Sequence, residues 1–251
     1  MSQNATNPHY YKLTLEYDGT LYHGWQKQPK HITIQSSVEH ALSRLTQETI
    51  KIVGAGRTDA GVHAMGQVTH FQLNKHFPPS ELLRGVNALL PCDIAVKKVT
   101  EVDSSFHARY GARRKTYRYF IYNAQTRSPW KEKIAWQVGL PLDIQKMRQA
   151  AKSLMGTHDF TSLCAKDNDA ENHIVNLLKI AVFKKEAQIQ ITLTANRFLR
   201  YMVRNIVGLL VEIGRGKRDA DTISTILEGQ DRRLAGLTAP PHGLFLMEVR
   251  Y

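Results

Sequence analysis

The sequence is short of cysteine, of acidic side chains relative to basic ones, and of long apolar runs. Only Cys92 and Cys164 are present among 251 residues. They stand in no CxxC spacing, which argues against a zinc site or a disulfide framework and for reduced thiols in a cytosol. No stretch approaches the roughly 18 apolar residues needed to cross a bilayer. The first residues, MSQNATNPHYYK, lack the charged-then-apolar pattern of a secretory signal. Together these absences lead us to expect a cytoplasmic protein with no membrane partner. Several motifs are missing too. GRGK (214–217) has neither the spacing nor the Ser/Thr of a P-loop. No GxGxxG follows a strand, no HxE is joined to a PCxxC, and no GxSxG elbow occurs, which argues against a Rossmann nucleotide site, a zinc base deaminase and a serine hydrolase of that type.

What is present is basic. Lys and Arg total 34 against 22 Asp and Glu, a formal net charge of +12, which favours a polyanionic partner. The segment YGARRKTYRYFIYNAQTRSPWKEK (110–133) carries seven Lys or Arg against one Glu, interleaved with aromatics. That composition suits phosphate contacts beside base stacking, and equally a solvated strand with its tyrosines in a core. A length of 251 residues, 42% hydrophobic and 22% charged, suits one large globular domain or two ordinary ones.

Periodicity divides the chain into two similar halves. YKLTLEYD (11–18) alternates, with Tyr11, Leu13, Leu15 and Tyr17 on one side, the pattern of a half-buried strand. TIQSSVEHALSRL (33–45) places Val38, Ala41, Leu42 and Leu45 on one helical face, with Ser36 and Glu39 as a capping box. Strands are expected at 50–56, 66–73 and 93–102, and a helix at 79–90. In the second half, 114–123 reads as a strand and 143–156 as a helix capped by Asp143 and stopped by Gly156. A hairpin (176–185 and 188–195), a long helix (197–214), a short helix (219–229) and a last strand (243–251) follow. The expected fold is α+β, as two domains, 9–107 and 108–251, each with a mainly antiparallel sheet flanked by helices.

Two constellations stand out. GRTDAGVHAMGQVTHF (56–71) displays Arg57, Asp59 and His63 between two expected strands. An isolated Asp-Ala-Gly is by default a turn. This stretch is longer and more polar than a minimal hairpin, Arg57 stands two residues before Asp59, and a carboxylate on a loop between rigid strands is well placed as a nucleophile. His63 reads better as a satisfied structural histidine. In RFLRYMVRNIVGLLVEIG (197–214), apolar residues repeat at helical spacing while Arg197, Arg200 and Arg204 share another face. This is a stripe suited either to a polyanion or to local carboxylates.

These residues resemble the tRNA pseudouridine synthase A family. The matching stretches are YDGTLYHGWQKQ (17–28), TIQSSVEHAL (33–42), GAGRTDAGVHAMGQVTHF (54–71), FHARYGARRKTYRY (106–119), HDFTSLCAKD (158–167), FLRYMVRNIVGLLVEIGRG (198–216) and TAPPHGLFLMEVRY (238–251). They run nearly end to end in the family's order, and GRTDAGVHA is the most specific. The resemblance implies a pseudouridine synthase fold of two related domains with the active-site cleft between them. It implies isomerisation of uridine to pseudouridine at positions 38 to 40 of the tRNA anticodon arm, by a homodimer using no cofactor and no metal. It assigns catalysis to Asp59, base stacking to Tyr117, and the lining of the same cleft to Arg57 and Arg204. Two other readings compete: a catalytically inert basic tRNA-binding protein, and a metal-dependent nuclease. The nuclease requires clustered carboxylates, and Asp18, Asp59 and Asp159 are scattered in the sequence.

Overall fold

The computed structural model describes residues 8–167 and 171–251; residues 1–7 of the polar N-terminal stretch lie outside the described residues. The chain forms two compact units, one running to Ala112 and taking in the final Tyr251, the other spanning Arg113–Arg250.

In the first unit, β1 (His9–Tyr17) is followed by α1 (Ile34–Thr46), β2 (Val53–Gly54), β3 (His63–Leu73), α2 (Pro79–Leu89) and β4 (Ile94–Val102). β1 is central, pairing antiparallel with β3 on one side and β4 on the other, and β2 adds to β3. The alternation of β1 is realised in full: Tyr11, Leu13, Leu15 and Tyr17 are all buried. Val38, Ala41 and Leu42 of α1 and Leu82 and Val86 of α2 are also buried, each fully buried Val or Leu side chain contributing about 1.5–3 kcal/mol. The cap of α1 differs from the expected one. Thr33 is the N-cap and exchanges reciprocal hydrogen bonds with Ser36. Glu39 lies a turn further on, where its buried carboxylate accepts from Lys27 Nζ, Gln35 Nε2 and the Ile52 amide. The strand expected at 50–56 shrinks to the two residues of β2.

The second unit contains β5 (Arg114–Tyr122), β6 (Trp136–Gln137), α3 (Ile144–Ser153), β7 (Gly156–Asp159), β8 (Ile174–Lys185), β9 (Gln188–Ala195), α4 (Met202–Gly214), α5 (Thr222–Glu228) and β10 (Leu244–Arg250). β8 and β9 form the expected hairpin, and β5 lies between β9 and β10, all antiparallel. β7 pairs with β8, and the short β6 runs parallel to β5. Asp143 caps α3 by accepting from the amides of Gln145 and Lys146. Gly156 does not stop that helix, which ends at Ser153 with Leu154 as its C-cap; with φ +102° it opens β7 instead. The long helix begins only at Met202, because Tyr201 takes a left-handed φ of +64° and breaks the run. Helix α4 is buried almost all round, Asn205, Val207, Leu209 and Val211 included. The expected arginine stripe is therefore not a helix face. Arg197 reaches Asn172, Arg200 pairs with Asp167 at 2.6 Å, and only Arg204 stands on the helix. The tyrosines of β5 divide: Tyr117 and Tyr119 are core residues, whereas Tyr122 is half-buried.

Candidate active site

Residues 56–62, in the loop joining β2 to β3, carry Arg57 and Asp59. Their backbone is gripped along its length by groups of the same unit. The buried Gln67 of β3 donates from Nε2 to the Gly56 carbonyl at 2.9 Å. The hydroxyls of Tyr17 and Thr58 meet at 2.9 Å in the interior. The Trp25 amide donates to the Thr58 carbonyl at 3.0 Å. Past Asp59 the chain turns, Val62 N–H donating to the Asp59 carbonyl at 3.1 Å and Gly61 N–H to the Tyr22 carbonyl at 3.4 Å. Gly61 holds φ +75°, a conformation that favours glycine.

Burial of these clamping groups is nearly complete. Trp25 is 2% exposed, and its indole packs against Gly54, where a Cβ would come within 2.6 Å of the ring. Gly24, at φ +84°, passes so close to the loop that a Cβ there would lie 2.7 Å from the Thr58 carbonyl oxygen. Burial pushes the Tyr17 phenol up to about 12, against the opposing hydrogen bonds from Thr58 and Gln67. Within this frame Arg57 is exposed and Asp59 half-buried. His63, the first residue of β3, is buried. Its Nδ1 lies 3.2 Å from the Gly19 amide and 3.1 Å from the Asp18 carboxylate, tying the segment after β1 to β3.

In the second unit Tyr117 is a buried residue of β5, its ring edge-on to Phe198 at 5.0 Å between centroids. Arg204 lies in the first turn of α4. Its Nε donates to the Ala239 carbonyl at 2.8 Å, the Ala239 amide returns a bond to the Arg204 carbonyl at 3.0 Å, and its guanidinium sits over the Tyr201 ring at 5.0 Å. The Arg200 guanidinium lies 4.9 Å from the same ring. Beside them Asn205 is fully buried, donating to the Leu163 carbonyl and accepting from Arg232 and Thr238.

Chemically, the first unit displays a carboxylate on a loop that cannot easily move, next to a guanidinium-bearing neighbour. Such a group can serve as a nucleophile or a general base. The second unit holds an aromatic ring and a cation in fixed orientations. Among the described residues no three His, Cys, Asp or Glu side chains are grouped to hold a metal ion, and no helix is long and apolar enough to cross a membrane. Sequence reasoning missed the residues that grip the loop, Gly24, Trp25, Thr58 and Gln67. All four fall in stretches that match the family, Gly24 and Trp25 in YDGTLYHGWQKQ and Thr58 and Gln67 in GAGRTDAGVHAMGQVTHF, but the sequence did not show what they contact.

A family model described as tRNA pseudouridine synthase matches residues 14–111 and 150–251. The chain is similar to the tRNA pseudouridine synthase A of an Exiguobacterium strain, 44% identical over 240 residues that cover 96% of this chain and 97% of that one. It is similar to the protein of the same description from Thermoanaerobacter (strain X514), 42% identical over 95% of this chain and 98% of that one. A third, from Myxococcus xanthus, is 44% identical over 96% and 91%. Among solved structures, a Cbf5-Nop10-Gar1 complex is similar at a TM-score of 0.34 and 14% identity, over 80% of this chain and 54% of that one.

Proposed function

The chain belongs to the tRNA pseudouridine synthase family, whose members are isomerases, and we propose that it converts uridine to pseudouridine at positions 38 to 40 of the tRNA anticodon arm, with the Asp59 carboxylate as nucleophile. The observation that carries this reading is the grip on residues 56–62. A turn that merely joined two strands would not need a buried tyrosine, a buried glutamine, a tryptophan amide and a closely approaching glycine to fix its backbone. A carboxylate that must meet a ribose or base atom within a few tenths of an ångström does need them.

The reaction breaks the C1′–N1 glycosidic bond, turns the base and rejoins it through C5. N1 ends with a proton and C5 loses its own, so nothing is oxidised and no group departs. An ionised carboxylate suffices, either attacking C1′ or C6 or removing a ribose proton on a glycal route. An ordinary aspartate, with a pKa of about 3.9, is ionised at neutral pH, and Arg57 and Arg204 would hold it so. Extruding the target uridine from its stack costs a few kcal/mol. Stacking on Tyr117, worth about 1–3 kcal/mol once its ring, buried against Phe198, is uncovered, and phosphate contacts to the basic surface offset that cost. The protein would act as a cytoplasmic homodimer.

The test is pseudouridine formation in an unmodified tRNA transcript with uridines in the anticodon arm. Wild type should give product in excess EDTA; Asp59→Ala and Asp59→Asn should bind the transcript and give none. Product from Asp59→Asn would overturn the nucleophile. Tight binding without product from wild type would leave an inert tRNA-binding protein.

A further inference from the structure

The segment between β5 and β6 is left unused by this chemistry, yet it carries the most exposed large hydrophobic side chain described. Trp130 is 89% exposed, compared with 2% for Trp25. It is not on a loose strand of chain. The Lys131 and Glu132 amides donate to the Ser128 carbonyl, and those of Ile134 and Ala135 to the Lys131 carbonyl, so residues 128–135 form a wound turn. That turn is anchored at its end, where Trp136 packs edge-on to the buried Tyr119 at 6.4 Å. An indole held in water on a wound, anchored turn loses hydrophobic stabilisation it would gain by burial, unless something else covers it.

The segment around it in sequence is mostly cationic, with Arg127, Lys131 and Lys133 against Glu132. A cavity of about 250 Å³ opens beside the turn, lined by Arg127, Lys131, Tyr122, Trp136, Glu132 and His242. Lys133 follows on the exposed side of the turn. Neither the Arg127 guanidinium nor the Lys131 ammonium has a hydrogen-bond or ion-pair partner among the described residues. A solvent-facing aromatic ring on a wound turn, whose next residue lines a cation-bearing cleft, is the arrangement that binds single-stranded or unstacked nucleic acid: phosphate to the cations, base to the ring.

We infer that the 127–136 turn is a second RNA-docking site, in which an unstacked nucleotide of the RNA substrate stacks on Trp130 while its phosphate contacts Arg127 and Lys131. The inference rests on the reading that the substrate is tRNA, and it assigns the site to binding rather than chemistry. Charge complementarity selects RNA over an apolar protein partner, for which the cations at 127, 131 and 133 would be a desolvation cost.

The experiment compares wild type, Trp130→Ala, Trp130→Phe and the double variant Arg127→Ala/Lys131→Ala. It measures tRNA binding across a salt series, acrylamide quenching of tryptophan fluorescence with and without tRNA, and steady-state pseudouridine formation. Trp130→Ala should weaken binding about 5- to 150-fold and raise KM while kcat holds. Trp130→Phe should restore most of the affinity. The double variant should lower the slope of log K against log salt by about 1.4–1.8. tRNA should shield wild-type tryptophan from acrylamide. Because Trp130 and Arg127 are exposed, all variants should keep the wild-type circular dichroism. Wild-type affinity and salt slope in every variant, with no shielding, would overturn the site even if pseudouridine forms normally. A change in oligomeric state in Trp130→Ala at unchanged tRNA affinity would overturn it in favour of a protein contact. Absence of pseudouridine from wild type alongside the expected binding losses would instead sink the catalytic reading and leave the docking site standing.

Discussion

The hydroxyls of Tyr17 and Thr58 meet at 2.9 Å in the interior of the first unit, joining the last residue of β1 to the residue before Asp59. Thr58 is 7% exposed and Tyr17 3%, so neither hydroxyl has water as a ready substitute. Tyr17→Phe removes one partner and leaves the other buried. It should cost about 1–3 kcal/mol of stability, read by urea denaturation. Because Thr58 adjoins Asp59, kcat should fall more than KM rises. Unchanged kcat with the stability loss would mean that the loop is held without this bond.

The same tyrosine sets an alkaline limit. Burial raises the folded-state pKa of Tyr17 from 10.0 to about 12. A group whose folded pKa lies above its unfolded value gives up protons first in the unfolded chain as pH rises. Its contribution is thus complete below about pH 10 and is lost as pH climbs toward 12. Burial pushes the Tyr119 and Tyr251 phenols in the same direction. The midpoint of urea unfolding should therefore be flat from pH 8 to 9.5 and fall above pH 10. In Tyr17→Phe the fall should be shallower.

Gly24 tests the rigidity of the loop from the opposite side. Its φ of +84° strains any L side chain, and a Cβ would stand 2.7 Å from the Thr58 carbonyl oxygen and 3.1 Å from the Ala60 nitrogen. Both neighbours are backbone, so neither can swing away. Gly24→Ala should cost about 1–3 kcal/mol through the conformation alone, and more through the contact. The remaining folded protein should bind tRNA with near wild-type affinity while product formation drops at least tenfold. Gly216 has φ +69° and nothing within 4 Å of its would-be Cβ. It is the control: Gly216→Ala carries the backbone strain without the clash, and its activity should persist.

Much of this was legible in the sequence because it depends on local pattern. The period-two run of β1 and the Asp143 cap of α3 are set by neighbours a few residues away, and both appear where the residues place them. The start of α4 was not legible. Arg197, Arg200 and Arg204 are spaced as on a helix, but Tyr201 breaks the helix with a left-handed residue that periodicity does not reveal. The capping role given to Glu39 failed for a related reason. The carboxylate is claimed by Lys27 and the Ile52 amide, partners brought close by tertiary folding. For the site, the Arg-x-Asp loop could be found by motif, whereas the residues that grip it come from β1, the 19–33 segment and β3 and are joined only in space.

Arg204 is kept in place through a neighbouring segment of the second unit. Its Nε bonds the Ala239 carbonyl, so the position of the guanidinium depends on the course of residues 232–239. That segment is tied to α4 by Asn205, whose buried Oδ1 accepts from Arg232 Nη2 at 2.9 Å and Thr238 Oγ1 at 2.7 Å while its Nδ2 donates to the Leu163 carbonyl at 3.0 Å. Asn205→Leu keeps the branched outline and heavy-atom count, in a somewhat larger side chain, and removes all three bonds at once. Arg232 and Thr238 still bond each other at 2.6 Å, which limits the number of stranded groups. The expected loss is about 1–3 kcal/mol for each group that remains unsatisfied, seen as a lowered Tm. If the segment shifts, Arg204 shifts with it, and Asn205→Leu should lose activity by about the same factor as Arg204→Lys. The double variant should then be little worse than either single change, the non-additivity expected of residues acting through one contact. Additive losses in kcat/KM would show that Asn205 supports the fold without positioning Arg204.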